Sequence, residues 1–225
     1  MGFWVQKLQI PEQAHCICAV GAGGKTSLLY TLAKEYHAMG KKVLLTTTTK
    51  MYLPENRSIW AEQAADIQHK LETNGFVVAG TQISTEKMGA LPESIWIYDC
   101  ADVVLVEADG AKRLPLKFPN DTEPVLPKAC DFLITVVGLS CIGQELQKVC
   151  HRAALVEQTL GICGKHVLQM EDVAQILYKG YGAFWQQIQG CILGNQAEYM
   201  TVQQIQQFQK YFMYPCICGS LQANQ

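Results

Sequence analysis

Arginine is nearly missing from this sequence: Arg57, Arg113 and Arg152 are the only three in 225 residues. No basic cluster surrounds them and the formal net charge is −2. The electrostatic footprint that a nucleic-acid partner requires is therefore lacking. Charged residues make up 17% of the chain against 49% hydrophobic ones, which excludes a disordered chain. No apolar run reaches the roughly 20 residues that span a bilayer, so no membrane partner is expected. The first residues lack the charged, apolar and small-residue regions of a secretory signal, and the expected location is cytoplasmic. Ten cysteines occur, but no C-x-x-C pair or matching histidine spacing that would point to zinc. Cys16 and Cys18, like Cys216 and Cys218, alternate along apolar runs. Each pair puts two thiols on one strand face, where thiols pack as small hydrophobes. Redox or chalcogen chemistry at one exposed thiol is the alternative; disulfides are not expected in the cytosol.

What is present starts at Ala19-Val20-Gly21-Ala22-Gly23-Gly24-Lys25-Thr26-Ser27. The apolar run 14–20 before it reads as a buried parallel strand, and apolar residues at helical spacing follow from Ser27. Glycines let a backbone curl so that its N–H groups can cradle phosphate oxygens, and a helix N-terminus adds partial positive charge. In such a loop Lys25 reaches the β/γ-phosphates and the Thr26 hydroxyl holds magnesium. The usual pattern G-x-x-x-x-G-K-[ST] is not met in full, because its first glycine falls on Ala19. The tighter G-x-G-G-K-T that remains is similar to the loop of the Mur-type amino-acid ligases.

Along the chain, strands alternate with helices. The first helix is expected to run to about Met39, with Gly40 as a left-handed cap, and the next strand over 43–49. A partly helical stretch at 58–73, a strand at 76–80 and a helix leading to Cys100 follow. Residues 103–106 read as a central strand, and Pro115, Pro119, Pro124 and Pro127 mark a long irregular loop before a strand at 132–137. The remainder reads as a helix at 171–178, a strand at 191–193, a helix at 202–211 and a strand at 215–218. The expectation is one α/β domain over 1–225, of three-layer αβα architecture with a mostly parallel sheet, and a helical subdomain about 143–188. Ligands of such sheets sit at the carboxyl ends of the strands.

Three further groups fall near those ends. Val103-Val104-Leu105-Val106-Glu107-Ala108-Asp109-Gly110 is an apolar strand ending in acids, the Walker-B arrangement. If the strand continues, Glu107 and Asp109 share a face, one binding metal while the other orients or deprotonates an attacking group. Thr46-Thr47-Thr48-Thr49 end the second strand, and one alternate pair, Thr46/Thr48 or Thr47/Thr49, can face a γ-phosphate. Lys112, Arg113 and Lys117 follow the acids on a loop that can neutralise phosphate or a second anionic substrate.

With these pieces assembled, the chain resembles the YqeC family, accessory proteins of selenium-dependent molybdenum hydroxylases. The resemblance is carried by residues 21–26, 46–49 and 106–110, then by Leu114-Pro115-Leu116-Lys117-Phe118-Pro119, Glu123-Pro124-Val125-Leu126-Pro127 and Val149-Cys150-His151-Arg152. It implies a P-loop fold and a role in maturing the selenium-containing cofactor, with molybdenum hydroxylases or other maturation proteins as partners. It also makes His151-Arg152 a landmark, as a lid or substrate contact. Family members resemble guanine-nucleotide proteins in an Asn-Lys-x-Asp-like stretch; this chain has Asn195-Gln196-Ala197-Glu198 there. Asn195 can still meet a base edge, but the missing lysine leaves guanine and adenine open.

The expected function is magnesium-dependent binding of ATP or GTP, with NTP hydrolysis, by an accessory protein. Lys25, Glu107 and Asp109 form the catalytic set, and Thr26, Glu107 and Asp109 the magnesium ligands. Gly21, Ala22, Gly23, Gly24, Lys25, Thr26, Ser27, Thr47, Thr48 and Asn195 contact nucleotide, and Lys112, Lys117, His151 and Arg152 an anionic substrate. A small-molecule kinase or ATP-dependent ligase, and a non-catalytic nucleotide-sensing scaffold, are the alternatives.

Overall fold

The computed structural model describes residues 2–92 and 99–221. In chain order its first elements are α1 (Phe3–Lys7), β1 (Cys16–Gly21), α2 (Lys25–Ala38), β2 (Val43–Thr47), β3 (Lys50–Tyr52), β4 (Trp60–Ala61) and α3 (Ala64–Asn74). Then come β5 (Phe76–Ala79), β6 (Thr81–Gln82), β7 (Lys87–Gly89), β8 (Val103–Glu107), β9 (Leu116–Lys117) and β10 (Phe132–Gly138). The chain continues through α4 (Leu146–Val149), β11 (Cys150–His151), α5 (Ala153–Leu160) and α6 (Met170–Trp185). It closes with β12 (Gly190–Asn195), α7 (Val202–Gln209) and β13 (Cys216–Cys218).

Eight strands hydrogen-bond in the order β13-β12-β10-β1-β8-β2-β5-β4. The pairings β1–β8, β8–β2, β2–β5, β5–β4, β10–β12 and β12–β13 are parallel. This is the expected α/β class with a mostly parallel sheet flanked by helices. The central strands β1, β2, β8 and β10 are buried at every position. Continuous apolar sequence such as Val103-Val104-Leu105-Val106 follows from that, since both faces of a parallel strand are covered.

Two compact units divide the chain. The first holds the chain up to Ala19, 26–110 and 125–132. Its α3 stops where Gly75, at φ 67°, donates its N–H to Leu71. The second holds 20–25, 111–124 and the chain from Leu133 onward, so the segment 143–188 lies wholly inside it. There α6 starts with a capping box between Gln169 and Asp172 and buries Val173, Ile176, Leu177, Tyr181 and Trp185.

The structure corrects several sequence expectations. The first helix starts at Lys25 rather than Ser27 and ends at Ala38, and Gly40 has the expected positive φ of 77°. The second strand stops at Thr47, not Thr49. The Thr47 hydroxyl accepts from the Thr49 N–H at 3.0 Å, and this local side-chain bond turns the chain out of the strand. Between 80 and 100 the helix expectation fails at its start: β6 and β7 pair antiparallel, and β7 pairs with β3 in a small separate sheet. The part of that expectation covering 93–98 lies outside the described residues. The proline-rich loop is not wholly irregular, because β9 pairs parallel with β11, Lys117 opposite His151. Helix α1 has no counterpart in the sequence expectation, whereas α4 and α5 fall within the span 143–188 expected to be a helical subdomain.

Candidate functional site

The loop between β1 and α2 is held by its own backbone. The Ala22 N–H donates to the Val136 carbonyl at 2.8 Å and the Gly23 N–H to the Leu114 carbonyl at 3.1 Å. Those two amides therefore point at protein carbonyls here rather than into an open cradle. The N–H groups of the first turn of α2, beginning at Lys25, have no intrahelical acceptor, an arrangement that can receive an anion. Two glycines are required by position. Gly23 has φ 83° and Gly24 φ 125°; a Cβ on Gly23 would overlap the Gly138 nitrogen, and one on Gly24 the Asn195 amide. Lys25 is 4% exposed and donates from Nζ to the Gly21 carbonyl at 2.7 Å. Ser27 is exposed, and its carbonyl accepts from Thr31 Oγ1.

In the first unit, Thr26 Oγ1 donates to Glu107 Oε2 at 2.6 Å. This joins the start of α2 to the end of β8 across 81 positions of sequence. Glu107 is 6% exposed and Asp109 0%. The strand ends at Glu107, so Asp109 lies beyond the strand alternation that would have aligned the two. The Thr47 hydroxyl donates to the Glu107 carbonyl at 2.8 Å, whereas the Thr46 hydroxyl turns to Ala79. Thr48 donates its N–H to the Glu107 carbonyl, and its hydroxyl is buried with no hydrogen-bond partner among the described residues. Sequence reasoning missed Tyr30, whose phenol is pushed up to about 12 by burial and then by the Glu107 charge.

Two of the cations expected to touch substrate, Lys117 and Arg152, meet in the second unit on an acid to which the sequence assigns no role. Lys117, its side chain 0% exposed, lies 2.6 Å from Glu123, and Arg152 lies 2.5 Å from the same carboxylate oxygen. Burial pushes the Glu123 carboxyl up, but the bonds and charges of Arg152 and Lys117 outweigh it and hold the group below its ordinary value. Lys112 and Arg113 are exposed and take consecutive left-handed conformations, φ 51° and 61°. His151 is half-buried; burial first, then the charges of Arg152, Lys117 and Lys112, hold its ring below the ordinary histidine value.

Asn195 grips the glycine loop. Its Nδ2 donates to the Gly23 carbonyl at 2.7 Å, while its Oδ1 accepts from the Leu221 N–H at 3.1 Å. The next residue, Gln196, accepts from the Ser140 hydroxyl. Glu198 is exposed and accepts from the Ser220 hydroxyl. A cavity of about 470 Å3 lies between Leu139, Ser140, Ile142, Met170, Tyr199 and Met200, and among the described residues no charged side chain lines it. The ten cysteines are free thiols. Cys16 and Cys18 are fully buried, and a hydrogen bond from Cys18 draws the Cys130 thiol below its ordinary range. Among the described residues no group of three or more His, Cys, Asp or Glu is placed to hold a metal ion. Among those residues, too, no helix is long and apolar enough to cross a membrane.

Fold and geometry together define an α/β protein in which a glycine loop joins a buried strand to a helix whose first hydroxyl meets the acid ending the neighbouring strand. The chain belongs to the YqeC family, whose model, described as YqeC protein, matches residues 17–154. It is similar to "Uncharacterized protein YqeC" of Escherichia coli (strain K12), at 35% identity over 185 residues, covering 78% of this chain and 72% of that relative. No solved structure matches.

Proposed function

We propose that this protein binds a magnesium nucleoside triphosphate, ATP or GTP, and hydrolyses it as an accessory factor in maturing the selenium-containing cofactor of molybdenum hydroxylases. The binding half rests on one observation above all: the hydroxyl of Thr26, directly after Lys25, donates to the buried carboxylate of Glu107 at 2.6 Å. A hydroxyl at a helix start and a carboxylate at a strand end are the oxygen donors that magnesium takes from protein. The donor set fits the ion: Thr26, Glu107 and Asp109 offer oxygen only, and Thr48 adds a buried hydroxyl that has no hydrogen-bond partner among the described residues. Magnesium keeps several waters and completes its shell with substrate phosphates, so a site with so few protein ligands suits it. When bound, the ion would neutralise charge developing on the phosphates. The protein's part is to bind and orient: the first-turn N–H groups of α2 and Lys25 take the β/γ-phosphates, and Asn195 keeps Gly23 in register. The buried carboxylates hold the metal side away from bulk water. The maturation role is what membership of the family implies.

A second reading, a small-molecule kinase or ATP-dependent ligase, is favoured by one feature: the cations around His151, which suit an anionic acceptor. Calorimetry of wild type and Lys25→Ala with Mg-ATP and Mg-GTP, paired with phosphate-release assays, tests the proposal. Saturable binding to wild type that disappears in a folded Lys25→Ala variant supports it; equal affinity in the two proteins removes it. Release of phosphate that rises only with one added metabolite would move the reading to the kinase or ligase.

A further inference from the structure

Several cations bear on His151. Lys117 and Arg152 both meet the Glu123 carboxylate, and the charges of Arg152, Lys117 and Lys112 all act on the ring, against that of Glu123. The group is held in place from several sides. Lys117 is fixed opposite His151 by the β9–β11 pairing, and the Phe118 N–H donates to the His151 carbonyl at 3.1 Å. Arg152 is set at φ 72°, a left-handed conformation that only a determined backbone imposes on arginine. The same segment touches the glycine loop, since Leu114, two residues after Lys112, accepts from the Gly23 N–H; its neighbour Pro115 accepts from Gly138 at the end of β10. The neutral cavity at Leu139 and Met200 offers no such charge, so the two are chemically separate places.

We propose that Lys112, His151 and Arg152, backed by the buried Lys117–Glu123 pair, form an oxyanion subsite. It takes the phosphate or carboxylate group of a second, small-molecule substrate beside the glycine loop. Guanidinium and ammonium groups bind such oxygens through charge-assisted hydrogen bonds, and the neutral imidazole can donate one more from its N–H. Glu123 is the positioning residue: it fixes Lys117 and Arg152 and touches no ligand itself. The function of this subsite as a substrate site rests on the nucleotide reading, but its affinity for an anion does not.

Inorganic phosphate is the probe, read by the His151 imidazole proton resonance, which is identified by its loss in His151→Gln. Titrations are run in Lys25→Ala protein, where the glycine loop is disabled, with chloride at equal ionic strength as control. The expected result is a saturable phosphate shift of the His151 signal that chloride does not produce. The midpoint should be weakened about tenfold by Lys112→Ala, an exposed change that leaves the ion triad intact. A His151 signal that phosphate does not move, or a Lys112→Ala titration that matches its parent, overturns the proposal. In wild-type protein saturated with magnesium nucleotide, phosphate should still shift His151. If nucleotide alone produces the shift and abolishes the phosphate response, the cations serve the nucleotide's own phosphates and the second-substrate assignment is wrong. Failure of the nucleotide reading is seen separately, as wild-type protein that binds no magnesium nucleotide while the phosphate titration succeeds.

Discussion

Replacing Glu123 with alanine removes a carboxylate that Lys117 and Arg152 both bind. The cost can be worked from burial. The Lys117 side chain is 0% exposed, with its Nζ 2.6 Å from Glu123, so its charge loses a close partner in a place water does not reach. Breaking a buried pair from one side costs about 3–5 kcal/mol. Glu123 and Arg152 keep 16% and 22% exposure, which lets water recover part of the loss, so about 3 kcal/mol is the working figure. In a chain of this size each kcal/mol shifts Tm by about 2–4 °C, giving a fall of roughly 6–12 °C. The assay is chemical denaturation followed by circular dichroism and by tryptophan fluorescence. Lys117→Met together with Glu123→Leu should recover most of the loss, since an apolar replacement of a buried pair is often neutral. A Glu123→Ala protein within about 0.5 kcal/mol of wild type, the range of an ordinary surface substitution, would falsify the reasoning, because Lys117 would then not depend on its partner.

Gly24→Ala should bind nucleotide poorly and lose about 1–3 kcal/mol of stability, since φ 125° and the Asn195 amide both exclude a Cβ; wild-type stability and affinity would count against the loop geometry. Thr135→Val should cost about 1–3 kcal/mol by leaving the Trp185 indole N–H, now 2.9 Å from the Thr135 hydroxyl, buried without an acceptor; urea titration reads it. Stability should fall with acid in two windows. His151 is held below its ordinary 6.5 in the folded state, so the unfolded chain takes up the proton first, and stability drops as pH falls below that value. Glu123 is held below its ordinary 4.5, so its contribution is full above that value and is lost as pH falls through the lower folded one. In pH-resolved urea melts His151→Gln should abolish only the upper window; an unchanged upper window would contradict the placement of the ring.

The parts of the fold legible in the sequence were those with a continuous physical signal. Cys16-Ile17-Cys18-Ala19-Val20 and Val103-Val104-Leu105-Val106 read as buried strands because parallel strands covered on both faces need unbroken apolar runs. Gly40 read as a left-handed helix cap because glycine takes a φ such as its 77° freely. The meeting of Thr26 with Glu107 was legible through the chemistry each motif implied. Other features left no such trace. Strands β3, β6 and β7 are two or three residues long, too short for alternation to register, and their pairing partners decide them. The threonine run 46–49 carries strand propensity throughout, yet the Thr47 hydroxyl captures the Thr49 amide and ends the strand early. Glu123 stands in a proline-rich loop where an acid looks solvated; only the β9–β11 pairing, which folding brings about, puts Lys117 and Arg152 on it. The family resemblance made Asn195 a base reader, and in the structure its amide spans Gly23 and Leu221.

The central claim is that the Thr26–Glu107 pair belongs to a magnesium nucleotide site, and the most direct measurement is nucleotide affinity as a function of magnesium. Calorimetric titration of ATP and GTP into wild-type and Thr26→Val protein, each with magnesium and with a chelator, reads it. Thr26→Val keeps the helix start and removes only the hydroxyl. The account predicts tight binding to wild type that weakens about tenfold or more without magnesium, and a Thr26→Val protein whose weaker binding is the same with magnesium as without. Wild-type affinity that ignores magnesium, or a Thr26→Val protein that still responds to it in full, would contradict the account.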